Sequence, residues 1–193
     1  MRRSFNSLGS LAAVEDLSWD VDDMETEPEI VFAVNALQEL FARWQQAETD
    51  NFWQRKSHKV VLSVVVCARE NGTLVAMPGM NTEVALTAGS LCAERAGIAR
   101  AATEFFHAKA IKVIAVIDPS GGIAPLWPCK VCQEWLSKLC GQSGKITVVA
   151  FPGAENDFQR VVVRRYGEES FKDVRAPTSV SVRSSLKQVV EQA

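Results

Sequence analysis

The sequence has no long apolar run and no large excess of one charge. None of its apolar stretches reaches the length of about 18 residues that a transmembrane helix needs, and the formal net charge at pH 7 is -2. We therefore expect no membrane span. The chain also has no overall basic charge that would attract nucleic acid or an anionic membrane. The five cysteines are too few, and odd in number, for a secreted disulfide framework. These absences predict a soluble, intracellular protein.

The 193 residues are enough for one domain with a buried core and an additional extension. Residues 1–28 include most of the carboxylate-rich stretch EDLSWDVDDMETEPE, which has too few aliphatic side chains to fold by itself. We predict a flexible acidic extension there, with binding of a protein partner through Trp19 as the alternative. The first residues, MRRSF, have features of an organellar targeting peptide, so an organellar location stays open beside a cytoplasmic one.

Residues 29–193 alternate between helix and strand patterns. Amphipathic spacing predicts a helix over 29–55, and Asn71-Gly72 predicts a hairpin at the start of the core, 56–166. A tail with a terminal helix is expected in 167–193. Strand–helix–strand units pair in parallel whereas a hairpin is antiparallel, so we predict a three-layer α/β/α domain with a mixed five-stranded sheet. The predicted strands occupy residues 59–68, 73–77, 111–118, 145–151 and 158–166.

Three of the five cysteines lie at predicted helix starts. Cys92 begins one helix, and Cys129 and Cys132 lie in the first turn of another, where helix dipoles favour thiolates. The C-x-x-C spacing lets two sulfurs reach one tetrahedral zinc, and a third thiolate leaves a fourth position open for water. Glu94 would place a carboxylate beside that water for proton transfer. A redox pair or two core cysteines are the alternatives for an isolated C-x-x-C.

Residues 92–95, CAER, and 128–132, PCKVC, together resemble the cytidine deaminase signature, in the subclass that binds zinc through three cysteines. Upstream, residues 79–85, GMNTEVA, are similar to the G-x-N-x-E-x-A segment of that family. The resemblance covers roughly residues 59–151. It implies a zinc-dependent hydrolase of pyrimidine salvage that converts cytidine, deoxycytidine or a related cytosine nucleoside to its uracil form. It also implies a homo-oligomer, either a tetramer or a dimer.

The same resemblance assigns roles to individual residues. The three cysteines would bind Zn²⁺, and Glu94 would transfer protons from water to the base and to the leaving amine. Arg95 would donate hydrogen bonds to thiolate sulfur. Substrate would be bound by Asn81 and Glu83, through the ribose, and by the backbone amide of Ala93. A carboxylate that accepts from a ribose hydroxyl would repel phosphate, so Glu83 favours a free nucleoside over a nucleotide or a polynucleotide.

The chain also departs from the family pattern. Ser63, Val65 and Val66 stand where the family shapes its nucleoside pocket, and Gln133 replaces an arginine. Two alternatives therefore stay open beside nucleoside deamination. One is a deaminase of an altered substrate, an aminonucleoside antibiotic or an RNA base. The other is a deaminase-like subunit with a mainly structural role in a larger assembly.

The sequence leaves the role of one further residue, Trp127, undecided. Its ring lies beside Pro128, where it would either stack on the base or pack within the loop. Cys67 and Cys140 are expected to be small core residues, because they fall in a strand and at a helix end.

Overall fold

Strands and helices alternate along most of the chain. The computed structural model describes residues 17–20, 27–85, 89–121, 125–151, 158, 160–167 and 170. The described helices are α1 (Pro28–Gln46), α2 (Ala93–Thr103) and α3 (Lys130–Ser143). The described strands are β1 (Leu17–Asp20), β2 (Leu62–Ala68), β3 (Leu74–Met80), β4 (Thr82–Glu83), β5 (Ser90–Leu91), β6 (Ile111–Ile117), β7 (Lys145–Ala150) and β8 (Arg160–Gly167). Two short 3₁₀ helices span Asn51–Gln54 and Ala108–Ala110.

Six of these strands form one mixed sheet, in the order β1-β8-β7-β6-β2-β3, and β4 pairs with β5 separately. β6 and β7 run parallel, with Val113 opposite Thr147, and the other neighbours in the large sheet are antiparallel. The predicted mixed sheet is confirmed, and its five predicted strands correspond to β2, β3, β6, β7 and β8. The parallel pair is the one joined through α3, as a strand–helix–strand unit requires.

The sixth strand, β1, comes from the segment predicted to be a flexible extension. Leu17 lies opposite Val163, and β1 runs antiparallel to β8 at the edge of the sheet. The structure differs from the prediction at these residues. Composition indicates only how much side-chain surface a segment can bury, whereas an edge strand is also held by backbone hydrogen bonds to its neighbour. The predicted terminal helix at 184–191 lies outside the described residues.

The sheet is covered by helices on both faces. Side chains alternate along β2, so that Val64 packs with Ile30 of α1 on one face. Val65 packs on the opposite face with Ile98 of α2 and Leu136 of α3. The predicted three-layer α/β/α arrangement is therefore confirmed. Among the described helices, none combines the length and the apolar character needed to cross a bilayer.

Helix α1 ends earlier than the pattern within 29–55 predicts. Pro28 begins the helix, and Ala47 leaves it in an extended conformation. Asp50 then caps the short 3₁₀ helix, because its carboxylate accepts a hydrogen bond of 2.8 Å from the backbone N–H of Phe52. The apolar stripe of α1 thus stops before a separate turn that lies next to β4.

Two glycines allow α2 to lie against the sheet. A Cβ on Gly79 of β3 would lie only 2.3 Å from the backbone oxygen of Ala93 and 2.9 Å from Ser63 Oγ. A Cβ on Gly97 of α2 would lie 2.7 Å from a methyl group of Val65. Ser63 and Val65 therefore pack under α2. This close approach fixes the start of α2, and with it Cys92 and Glu94, relative to the sheet.

Candidate metal centre and active site

Three thiols meet where α2 and α3 begin. Cys92 directly precedes α2, Cys129 directly precedes α3, and Cys132 lies in the first turn of α3. The Sγ atom of Cys129 lies 3.6 Å from that of Cys92 and 3.6 Å from that of Cys132. All three sulfurs lie within 4.8 Å of one another. The structure thus brings together the cysteines that the sequence places 37 residues apart.

The spacing of the sulfurs fits a zinc site. With Zn–S bonds of about 2.3 Å, two sulfurs of a tetrahedral site lie about 3.8 Å apart. Three thiolates are a set of ligands that zinc prefers, and they leave one tetrahedral position for water or substrate. The described part of the chain contains one such cluster of metal-binding side chains, and Cys67 and Cys140 do not belong to it.

The thiols of the cluster share protons unequally. Hydrogen bonding with Cys132 lowers the pKa of Cys92 to about 5, with a further contribution from Arg95 that acts against the effect of burial. The same interaction raises the pKa of Cys132, because its thiol holds the proton when Cys92 is ionised. Of these two thiols, Cys92 therefore loses its proton more readily, which suits a thiolate ligand.

One arginine faces the cluster. Nη2 of Arg95 lies 3.6 Å from the Sγ atom of Cys92 and donates to the backbone oxygen of Ser90 at 3.1 Å. Its guanidinium also lies 5.9 Å from the centroid of the Trp135 ring. Gln133, which stands in place of an arginine, instead donates to the backbone oxygen of Pro128 at 2.9 Å. This hydrogen bond joins the first turn of α3 to the residue that precedes Cys129.

Glu94 lies in the first turn of α2 and is 7% exposed. Burial raises the pKa of its carboxyl group, and the neighbouring charge of Cys92 raises it further. A carboxyl group whose pKa is moved toward neutrality can both accept and donate a proton, which suits general acid–base chemistry. The sequence contains this signal, since Glu94 lies two residues after Cys92 at a helix start.

A cavity of about 200 Å³ opens beside the thiols. Cys92, Cys129 and Glu94 line it, as does Ala93, while Cys132 lies buried behind. Trp127 forms part of the wall. The predicted catalytic residue, two predicted metal ligands and the predicted substrate-binding residues therefore surround one space.

Trp127 belongs both to the cavity wall and to the packing beside it. Its ring lines the cavity, and it also packs against the core cluster on the α2 and α3 face of the sheet. The guanidinium of Arg164 on β8 lies 3.9 Å from the ring centroid. This stacking fixes the orientation of the indole at the cavity wall. The sequence does not predict this contact, because no motif links the two residues as the deaminase signature links the cysteines.

Asn81 and Glu83 line the same cavity, but both side chains are bonded to the chain itself. Asn81 Oδ1 accepts from the backbone N–H of Val61 at 2.8 Å, and its Nδ2 donates to the backbone oxygen of Lys59 at 2.9 Å. The carboxylate of Glu83 accepts from the backbone N–H of Ser57 at 2.7 Å and from its hydroxyl at 2.9 Å. Both polar ends of Asn81 are therefore engaged in holding neighbouring backbone.

Comparison with known families agrees with this arrangement. The sequence model of the LmjF365940 subfamily of CDD/CDA-like deaminases matches residues 21–119, which is just over half of the chain. The chain belongs to this deaminase family. The matched residues include Cys92 and Glu94, and the second pair of thiols lies beyond them.

Comparisons with individual proteins add little to the family assignment. None of the curated proteins matches the chain in sequence. Among solved structures, the chain is similar to a cytidine deaminase from Burkholderia pseudomallei, with 23% identity and a TM-score of 0.45. That similarity covers 58% of this chain and 78% of the other.

Proposed function

We propose that the chain is a zinc-dependent hydrolase that deaminates the cytosine base of a nucleoside unit to uracil, with release of ammonia. The observation that carries the proposal is the meeting of three thiols and the buried Glu94 at one cavity. Membership of the CDD/CDA-like deaminases supports the reaction type. The cytosine preference rests on the resemblance of residues 92–95 and 128–132 to the cytidine deaminase signature.

In this proposal, zinc held by Cys92, Cys129 and Cys132 supplies an activated water for hydrolysis when it is bound. Glu94 takes a proton from that water and gives it to N3 of the base. Glu94 then takes the remaining proton from the hydroxyl now on C4 and gives it to the amine, so that the C4–N bond breaks, ammonia leaves and the oxygen stays on C4 as the carbonyl. The raised pKa of its carboxyl group suits these successive transfers.

Two further groups have supporting roles in the proposal. Ala93 is the first residue of α2, where the helix dipole is positive. In the proposal, its backbone N–H donates a hydrogen bond to the oxygen that develops negative charge on C4. Arg95 offsets the negative charge of three thiolates, through its contact with Cys92. A homo-oligomer and a role in pyrimidine salvage stay predictions from the resemblance.

The test compares the unmodified chain with Glu94→Gln. We expect about one zinc per chain in both by elemental analysis. Ultraviolet-monitored deamination of cytidine and deoxycytidine should fall by about 10² to 10⁴ in the variant, because the proton-transferring carboxylate is lost. Glu104→Gln is the matched control, since Glu104 is exposed at the opposite end of α2. Full turnover in Glu94→Gln would contradict the assigned role.

A further inference from the structure

The segment at residues 51–59, NFWQRKSHK, presents two aromatic rings to solvent. We call it the rim segment. Phe52 is 45% exposed and Trp53 is 43% exposed, although both are large and apolar. Their rings meet edge to face, with centroids 5.6 Å apart, and the guanidinium of Arg55 lies 5.8 Å from the Phe52 centroid. The rings therefore form an ordered exposed pair that contributes little to the core.

The rim segment is also basic. Arg55, Lys56 and Lys59 are exposed cations, His58 is exposed beside them, and no carboxylate occurs within residues 51–59. Two exposed carboxylates, Glu48 and Asp50, precede the segment, and that of Asp50 accepts from the backbone N–H of Phe52. The chain as a whole has a net charge of -2, so this stretch is a local positive region. Cations beside exposed aromatic rings are typical of surfaces that bind single-stranded nucleic acid.

Hydrogen bonds join the rim segment to the cavity wall. Ser57 donates twice to the carboxylate of Glu83, and Gln54 Nε2 donates to the backbone oxygen of Asn81 at 3.1 Å. Asn81 Nδ2 in turn donates to the backbone oxygen of Lys59. Because Asn81 and Glu83 both line the cavity, the rim segment lies next to one wall of the cavity.

The cavity itself is small for a complete substrate. Its volume of about 200 Å³ lies below the range of about 300 to 1,000 Å³ that encloses most small ligands. The polar ends of Asn81 and the carboxylate of Glu83 are already bonded to backbone or to Ser57. A base fits in a cavity of this size, and phosphates attached to the sugar would lie outside it, next to the rim segment.

We propose that the nucleoside unit is presented by a single-stranded nucleic acid that lies along the rim segment. The inference rests on the proposed function and names its substrate class. Bases next to the target stack on Phe52 and Trp53, and phosphates contact Arg55, Lys56 and Lys59. Ser57 donates two hydrogen bonds to the Glu83 carboxylate. In the proposal, the three cations of the rim segment offset the repulsion between that carboxylate and the phosphates of the strand.

The first test measures binding by the full zinc-loaded chain carrying Glu94→Gln, which prevents turnover. Labelled single-stranded RNA and DNA of about 12 nucleotides are titrated by fluorescence anisotropy. Replacing both Phe52 and Trp53 by alanine should weaken binding at least about tenfold, since each stacked base contributes a factor of about 5 to 150. Phe105→Ala is the matched control, because Phe105 is 91% exposed and follows the far end of α2.

The second test isolates the cations. Replacing Arg55 and Lys56 by glutamine should weaken binding and lower the slope of log affinity against log salt by about 1.4, or about 0.7 for each lost phosphate contact. Lys138→Gln, an exposed cation on α3, should leave both quantities unchanged. The rim segment could instead be a contact between subunits, and sedimentation of the same variants tests this. A change in oligomer size with unchanged strand affinity would overturn the inference.

The third test compares substrates for the chain with Glu94 intact. We expect kcat/KM for a cytosine within the strand to exceed that for free cytidine at least about tenfold, and the rim variants to lower only the former. Efficient turnover of free cytidine, with strand binding unaffected by the rim variants, would overturn the inference and leave the proposed function standing. A zinc-loaded chain that deaminates neither substrate would overturn the proposed function itself.

Discussion

The thiol cluster and residues 81–83 both match segments of the same family, and they differ in what their side chains contact. Around the thiols, the three sulfurs face one another and Glu94 faces the cavity. In β4 and the residue before it, Asn81 and Glu83 line the cavity while bonding to backbone and to Ser57. A matching residue type therefore predicts a position in the fold more securely than it predicts a role.

The largest expected effect separates cluster cysteines from other buried cysteines. We expect Cys132→Ser to lose bound zinc and, with it, deaminase activity, because a hydroxyl is a poor substitute for a thiolate ligand. Cys67→Ser is the matched control, since Cys67 is equally buried but lies in β2 outside the cluster. Burial raises the pKa of the Cys67 thiol to about 11, which keeps it neutral and unsuited to metal binding.

Elemental analysis of the two purified variants measures this difference. Equal zinc content in Cys132→Ser and Cys67→Ser would show that the cluster is not the metal site. Loss of zinc from both would indicate that unfolding, rather than ligand removal, releases the metal, and circular dichroism distinguishes that case.

The next effect concerns the glycine that lets α2 reach the sheet. A Cβ at Gly79 would meet the backbone oxygen of Ala93 at 2.3 Å, and backbone cannot move aside without shifting α2. We expect Gly79→Ala to lower the free energy of unfolding by about 3 kcal/mol, at the upper end of overpacking effects. Zinc affinity should fall as well, because Cys92 and Glu94 move with the helix.

Denaturant unfolding and metal titration check this prediction. Gly167→Ala is the control, since a Cβ on that strand residue would meet its nearest neighbour at an ordinary 3.7 Å. A stable Gly79→Ala variant with unchanged zinc affinity would refute the close approach of α2 to β3.

A smaller effect tests whether Asn81 holds structure or substrate. Asn81→Ala leaves the backbone N–H of Val61 and the backbone oxygen of Lys59 without their partner. We expect a loss of about 2 kcal/mol in the free energy of unfolding, measured without substrate, because each of these partly buried groups loses a hydrogen bond. Asn71→Ala, in the exposed hairpin turn, should cost less.

The kinetic readout for Asn81 sharpens the comparison. A residue that binds ribose would raise KM on removal and leave the stability of the free protein almost unchanged. That result would return Asn81 to the role predicted from the resemblance.

The sequence predicts the chemistry of the site better than its surroundings. The positions of Cys92, Glu94 and the C-x-x-C pair at helix starts follow from local patterns, because helix dipoles and ligand spacing act over a few residues. The mixed sheet follows in the same way from the hairpin and the strand–helix–strand unit. These features depend on short-range sequence, so they are predictable from it.

The surroundings depend on contacts between distant segments. Ser57 meets Glu83 across 26 residues, and Arg164 meets Trp127 across 37. The sequence does not predict strand β1, because its pairing with β8 is a backbone interaction at a sheet edge, which an acidic composition does not reveal. No periodicity or motif encodes such pairings, and they decide which polar groups remain available to a substrate.

The smallest expected effect concerns the bonds between Ser57 and Glu83. Ser57→Ala removes the hydroxyl donor but keeps the backbone N–H, so we expect a loss of about 1 kcal/mol or less in the free energy of unfolding at this exposed position. Glu83→Gln weakens both bonds. The variant that carries both changes should lose little more free energy of unfolding than Glu83→Gln alone, since both changes affect one interaction. Fully additive costs would mean that the two side chains act independently. In that case one oxygen of the Glu83 carboxylate would be free for ribose, and the contrast between the thiol cluster and residues 81–83 would be weaker.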